Sequence, residues 1–158
     1  MKSKFLLFPI VFILLFSFSC KKEDNTKINT NIIAIRYGTS FGECIGYCRN
    51  EMDIEKTNVL IKTSSWDTIN YPQKLCQKNI SVEKWNEIVS SASSISFSEL
   101  DSVYGCPDCA DGGAEWVEIT TSDWKHKVIV EFNSDQPLEL KNLLDSLREM
   151  KIYLKGCN

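Results

Sequence analysis

Cys44, Cys48, Cys76, Cys106, Cys109 and Cys157 form an even set of thiols in a chain whose first residues read as an export segment. Lys2 and Lys4 supply a positive start, and Phe5 to Phe18 is a 14-residue apolar run interrupted only by Pro9 and Ser17. A spanning helix needs about 20 such residues, so the run has signal-peptide length. Export leads to an oxidising compartment, where an even cysteine count in a small chain predicts disulfides. Three bridges therefore constrain the fold. Six cysteines allow about 15 connectivities. Proximity along the chain favours Cys44–Cys48 and Cys106–Cys109 and leaves Cys76 for Cys157.

The apolar run ends in Ser17-Phe18-Ser19-Cys20, which resembles a bacterial lipoprotein box. The resemblance implies cleavage before Cys20, a diacylglycerol on its thiol and a further acyl chain on its new amino terminus. Lys21-Lys22-Glu23-Asp24-Asn25 is similar to the charged tract that routes lipoproteins of Bacteroidota-type bacteria to the outer face of the outer membrane. The implied partner is the membrane, reached through the lipid on Cys20. A single acyl chain anchors only marginally, whereas several on one residue hold firmly. The domain boundaries that follow are a signal peptide over 1–19, a lipidated cysteine with a polar tether over 20–30, and one folded domain over 31–158.

Without Lys2 and Lys4 the chain keeps 16 basic against 21 acidic side chains, a net charge of −5. That balance disfavours a sequence-independent grip on nucleic acid.

The hydrophobic pattern predicts an α+β domain in the order βββααββα, an antiparallel sheet of about five strands with helices on one face. Asn31 to Tyr37 is β-branched and apolar and should open the sheet, with a turn over Gly38 to Gly42. Tyr47 to Ile54 alternates, placing Cys48, Asn50, Met52 and Ile54 on one side, and pairs with Val59 to Thr63 as a hairpin. Ser64 to Asn79 has no clear period and reads as loop. Ser81 caps a helix whose apolar face is Val82, Trp85, Ile88, Val89 and Ala92. Ser96-Phe97-Ser98-Glu99 has a capping-box pattern and predicts a second helix through Val103. Glu115 to Thr121 and Lys125 to Phe132 form another hairpin. Asp135 and Pro137 start a final helix with Leu140, Leu143, Leu144, Leu147 and Met150 as its buried stripe and Lys141 facing Asp145.

Chemistry-bearing motifs are few. His126 is the sole histidine and reads as a solvated residue at a strand start. No phosphate-cradling glycine loop, Gly-x-Ser-x-Gly or His-Glu-x-x-His occurs. Cys106-Pro107-Asp108-Cys109 matches the spacing of thiol-disulfide enzymes, but Ala110-Asp111-Gly112-Gly113 follows where such sites start a helix. Cys44, Cys48, Cys106 and Cys109 could also make a four-thiolate zinc site, which oxidation to disulfides opposes. Asp108, Asp111 and Glu115 bracket a glycine turn and could offer oxygens to calcium. The alternative is a structural loop in which Gly112 or Gly113 needs a positive φ.

FGECIGYC at Phe41 to Cys48 and CPDCADGGAEW at Cys106 to Trp116 resemble the signatures of small Bacteroidota-type lipoproteins that carry a domain of unknown function. The resemblance spans residues 31–150 and implies no catalytic residue and no cofactor. The expectation is a non-enzymatic, outer-membrane-anchored binding or interaction module with a protein or glycan ligand. Its rivals are an envelope thiol-disulfide oxidoreductase using Cys106 and Cys109, and a calcium-dependent binding module.

Overall fold

The computed structural model describes residues 31–134 and 136–154. The expected signal peptide, Cys20, the expected tether, Asp135 and Cys157 lie outside the described residues, and so does the expected Cys76–Cys157 pairing.

Seven strands form one sheet: β1 (Ile32–Ser40), β2 (Arg49–Glu55), β3 (Asn58–Ser64), β4 (Lys74–Asn79), β5 (Val103–Tyr104), β6 (Ala114–Thr121) and β7 (Lys125–Glu131). Their spatial order is β4-β3-β2-β1-β6-β7-β5. All pairs are antiparallel except β5 with β7. Two helices, α1 (Val82–Ser93) and α2 (Leu138–Tyr153), complete the described domain. The α+β class is as the pattern predicts, but the sheet is mixed and has seven strands rather than five.

The register explains the layering. Ile35 faces Ile54 and Ile119, and Tyr37 faces Met52 and Val117. Because paired residues share a face, these side chains build one apolar surface. It joins a single core with Ile88, Val89 and Ala92 of α1 and the Leu140, Leu143, Leu144, Leu147 and Met150 stripe of α2. Ser81 caps α1 by accepting the Lys84 amide at 3.2 Å. The helices thus cover one face of the sheet and leave the other open.

Four expectations need correction. Gly38 lies inside β1 rather than in a turn, because the Trp116 indole rests on it: a Cβ at position 38 would stand 2.1 Å from Trp116 Cζ2. Residues 74–79 are strand, not loop. β4 is an edge strand that is mostly exposed, so it carries no apolar alternation and takes its order from hydrogen bonding to β3. The second helix is only a 3-10 turn over Phe97–Glu99, in which Ser96 makes no side-chain cap. Phe97 is buried there, Leu100 is extended, and the chain continues into β5, where Ile129 N donates to Ser102 O at 2.9 Å. His126 is not the solvated residue expected at the strand start. It pairs across from Ile119, lies edge-on to Phe97 at 5.8 Å, and its Nε2 is 2.9 Å from the Leu100 carbonyl oxygen.

Candidate functional site

Both cysteine segments meet at one end of the sheet. β1 runs out into Phe41, and β6 begins just after Gly113, so the register Ser40 with Ala114 brings the two loops side by side. Gly42 N donates to Asp108 Oδ1 at 3.1 Å, and Phe41 packs edge-on against Phe132 with centroids 4.9 Å apart. Cys44 pairs with Cys48, and Cys106 with Cys109, with Cα separations of 5.7 and 5.4 Å. Both pairings agree with the reading from proximity. Cys76 is also disulfide-bonded.

The 106–113 loop is tightly wound. Asp108, Ala110 and Asp111 have φ of 65°, 47° and 60°, and Gly113 has φ of 86°. Left-handed backbone costs about 1–2 kcal/mol for an ordinary L residue. The disulfide and three hydrogen bonds hold the loop against that cost: Asp108 N to Gly113 O, Gly112 N to Cys109 O, and Cys106 N to Glu131 Oε2, all between 3.0 and 3.1 Å. Of the two glycines, Gly113 carries the positive φ, and Gly112 is at −64°.

This loop does not assemble the calcium arrangement. Asp108 is engaged by Gly42, whereas Glu115 points to the helical face and is fully buried. Among the described residues, no three His, Cys, Asp or Glu side chains are grouped to hold a metal. The four thiols considered for zinc are two disulfides. Cys106 and Cys109 are both exposed, but no helix starts at the first of them. A single 3-10 turn, Cys109–Asp111, follows, and the Cys106 amide is turned toward the Glu131 carboxylate. A carboxylate beside a thiol disfavours the thiolate.

Glu115 belongs to a buried polar cluster that pattern reading did not find. Arg148 on α2 donates to it twice, Nε to Oε1 at 2.9 Å and Nη2 to Oε2 at 2.5 Å, and Tyr37 OH donates to Oε1 at 2.5 Å. Burial, then the Glu115 carboxylate, push the Tyr37 phenol far above its ordinary pKa, so it remains a donor. The bonds to Glu115 raise the Arg148 guanidinium further. A cleft of about 340 Å3 opens beside this cluster. Its cations are already engaged, Arg148 by Glu115, Gln136 and Asp145, and Lys151 by Thr39. The cluster ties α2 to β1 and β6. The only sequence signal for it was a glutamate at an inward position of an alternating strand.

A second loop, residues 65–73, lies against the Phe41 to Cys48 segment. Trp66 Nε1 donates to Phe41 O at 2.8 Å, Tyr47 OH donates to Pro72 O at 3.2 Å, and the Tyr47 and Tyr71 rings meet edge-on at 5.7 Å. Ile45 is 95% exposed, Ile69 90% and Trp66 58%. Large apolar side chains are thus held open on two adjoining, cross-braced loops. No family model matches this chain, and no curated protein matches it.

Proposed function

We propose that this chain is a lipid-anchored outer-membrane protein of the kind its signatures resemble, non-enzymatic, with the loop end of its sheet as a docking surface for a protein or glycan. The observation that carries the reading is the joint exposure of Ile45, Trp66 and Ile69 on two loops fixed to each other. Exposed apolar patches mark interaction sites. A patch braced by the Cys44–Cys48 bridge and the Tyr47–Tyr71 contact also loses little loop entropy on binding. Anchoring at Cys20 supplies the setting; no described helix is long and apolar enough to cross a membrane.

The test has two parts. Replacing Cys20 by Ser should move the mature protein from the membrane to the soluble fraction; retention after a high-salt wash overturns the anchor. A photo-crosslinking residue at Ile69 in living cells should give a discrete adduct that the same probe at Glu139, the exposed start of α2, does not give. Identical adducts from both positions, or none from Ile69, overturn the docking surface. The oxidoreductase reading is tested by thiol counting on exported protein, where a poised Cys106–Cys109 pair would show reducible thiols and a structural one none.

A further inference from the structure

The open face of the sheet is a ladder of paired charges in which, among the described residues, Lys127 has no ion-pair partner. Arg36 meets Asp53 and Glu118, Lys62 meets Asp53, Lys125 meets Glu118, and Arg49 meets Glu51. Glu51, Asp53 and Glu118 are thus engaged. Lys127 makes no ion pair with any described residue. Instead its Nζ stands 4.7 Å from the centroid of Trp116, and the Arg49 guanidinium carbon stands 5.2 Å from the same centroid.

Trp116 is the platform for both. It extends from β6 over Gly38, where the missing side chain makes room, and the residue is only 6% exposed. Cation–π attraction holds each of them by about 0.5–1 kcal/mol at exposed sites, but the two like charges repel each other over one indole. Burial lowers the Lys127 ammonium pKa, and the charge on Arg49 lowers it further, together outweighing the opposing attraction of Glu118 and Glu51. The Arg49 side chain is 40% exposed, so the pair is open to solvent. Arg49 Nε is enclosed and has no acceptor.

We propose that Arg49 and Lys127 form a seat for an oxyanion on the open face, with the Trp116 indole as its floor. An oxyanion bound between them neutralises their repulsion and accepts charge-assisted hydrogen bonds from the Lys127 ammonium and from the Arg49 guanidinium N–H groups that Glu51 leaves free. The required chemistry is a phosphate, sulfate or carboxylate, free or carried on a larger molecule. This seat is separate from the apolar loop surface and stands or falls independently of it.

The test uses the 15N-labelled mature chain and follows the Trp116 indole N–H resonance, assigned with W116F. Sodium phosphate, sodium sulfate and sodium glucuronate are titrated against sodium chloride of equal ionic strength. The expected result is a saturating shift with at least one oxyanion and none with chloride. The oxyanion that saturates at lowest concentration distinguishes phosphate esters, sulfated carriers and uronic acids. K127M and R49M should each weaken binding about tenfold or more, since a hydrogen bond to a charged group is lost. K84M on α1 should leave binding unchanged. Met keeps the apolar stem of either cation, and the remaining amide spectrum confirms the fold. Shifts that track ionic strength alone, or that persist in both K127M and R49M, overturn the seat.

Discussion

Arg148 closes a two-pronged grip on Glu115 from the far side of the core, with Nε and Nη2 reaching separate oxygens of a carboxylate that is wholly buried. The pair lies 33 residues apart in sequence and joins α2 to β6. Removing one partner of a buried ion pair costs about 3–5 kcal/mol, because the other charge is left without compensation. R148M should therefore lower stability by about that amount, discounted toward the lower end because the Arg148 side chain is 31% exposed. The double variant R148M/E115L should recover most of the loss. Urea denaturation of the four species of the cycle measures it, and equal destabilisation by R148M and R148M/E115L would show that the charge pairing contributes little.

Tyr37 should mark the alkaline limit of the fold. Its phenol is held protonated by burial and by the Glu115 carboxylate, well above the value of about 10 it has when unfolded. Above that pH the unfolded chain binds fewer protons than the native one, so stability falls with rising pH, by about 1.4 kcal/mol per unit for one group. Below pH 10 the contribution is fully present. Absorbance titration should show that one of the five tyrosines ionises only as the protein unfolds. In Y37F the alkaline fall attributable to that group should vanish.

The sequence and the structure agree where periodicity carried the information. The α2 stripe, the alternation of β2 and the Ser81 cap are each set by local pattern, and all appear as expected. The differences arise where a distant partner overrides local signal. Lys74–Asn79 becomes strand because β3 offers an edge, Gly38 stays in β1 because Trp116 needs its space, and the Ser96 capping pattern yields to burial of Phe97. The loop end was legible as two cysteine motifs, but the 65–73 loop beside them was not, since its residues share no period. Neither the Arg148 grip nor the Lys127–Trp116–Arg49 stack could be read along the chain, because each joins elements through side-chain reach alone.

Gly38 and Trp116 should behave as one unit. A methyl at position 38 would overlap the indole at 2.1 Å, and the ring cannot yield without leaving its place on the sheet. Overpacking of this kind costs about 1–3 kcal/mol. G38A should lower the thermal midpoint in the wild-type background and far less in W116A, where the space is vacant. Additive losses in the double variant would show that the indole is not what requires glycine there.

The two glycines of the 106–113 loop should differ although they are adjacent. At Gly113, φ is +86°, and a Cβ would stand 2.5 Å from Phe41 Cδ1 and 3.0 Å from the Ser40 carbonyl oxygen. Any side chain there meets both backbone strain and the Phe41 ring that joins the two cysteine segments. At Gly112 the backbone is right-handed, and the nearest atom to a Cβ is the Cys109 carbonyl oxygen at 3.2 Å, a tight contact that a small shift relieves. G113A should therefore cost about 1–3 kcal/mol, the range for a residue forced into a sparsely populated region. G112A should cost clearly less. The paired change of Asp108 and Asp111 to Asn should leave the thermal midpoint nearly unchanged, because an Asn oxygen can still accept the Gly42 amide and Asp111 is exposed. Differential scanning fluorimetry of the three variants, with and without millimolar calcium, separates the outcomes. Equal losses at Gly112 and Gly113 would mean that loop strain does not depend on φ. A calcium-dependent midpoint abolished by the Asn pair would make the loop a cation site after all.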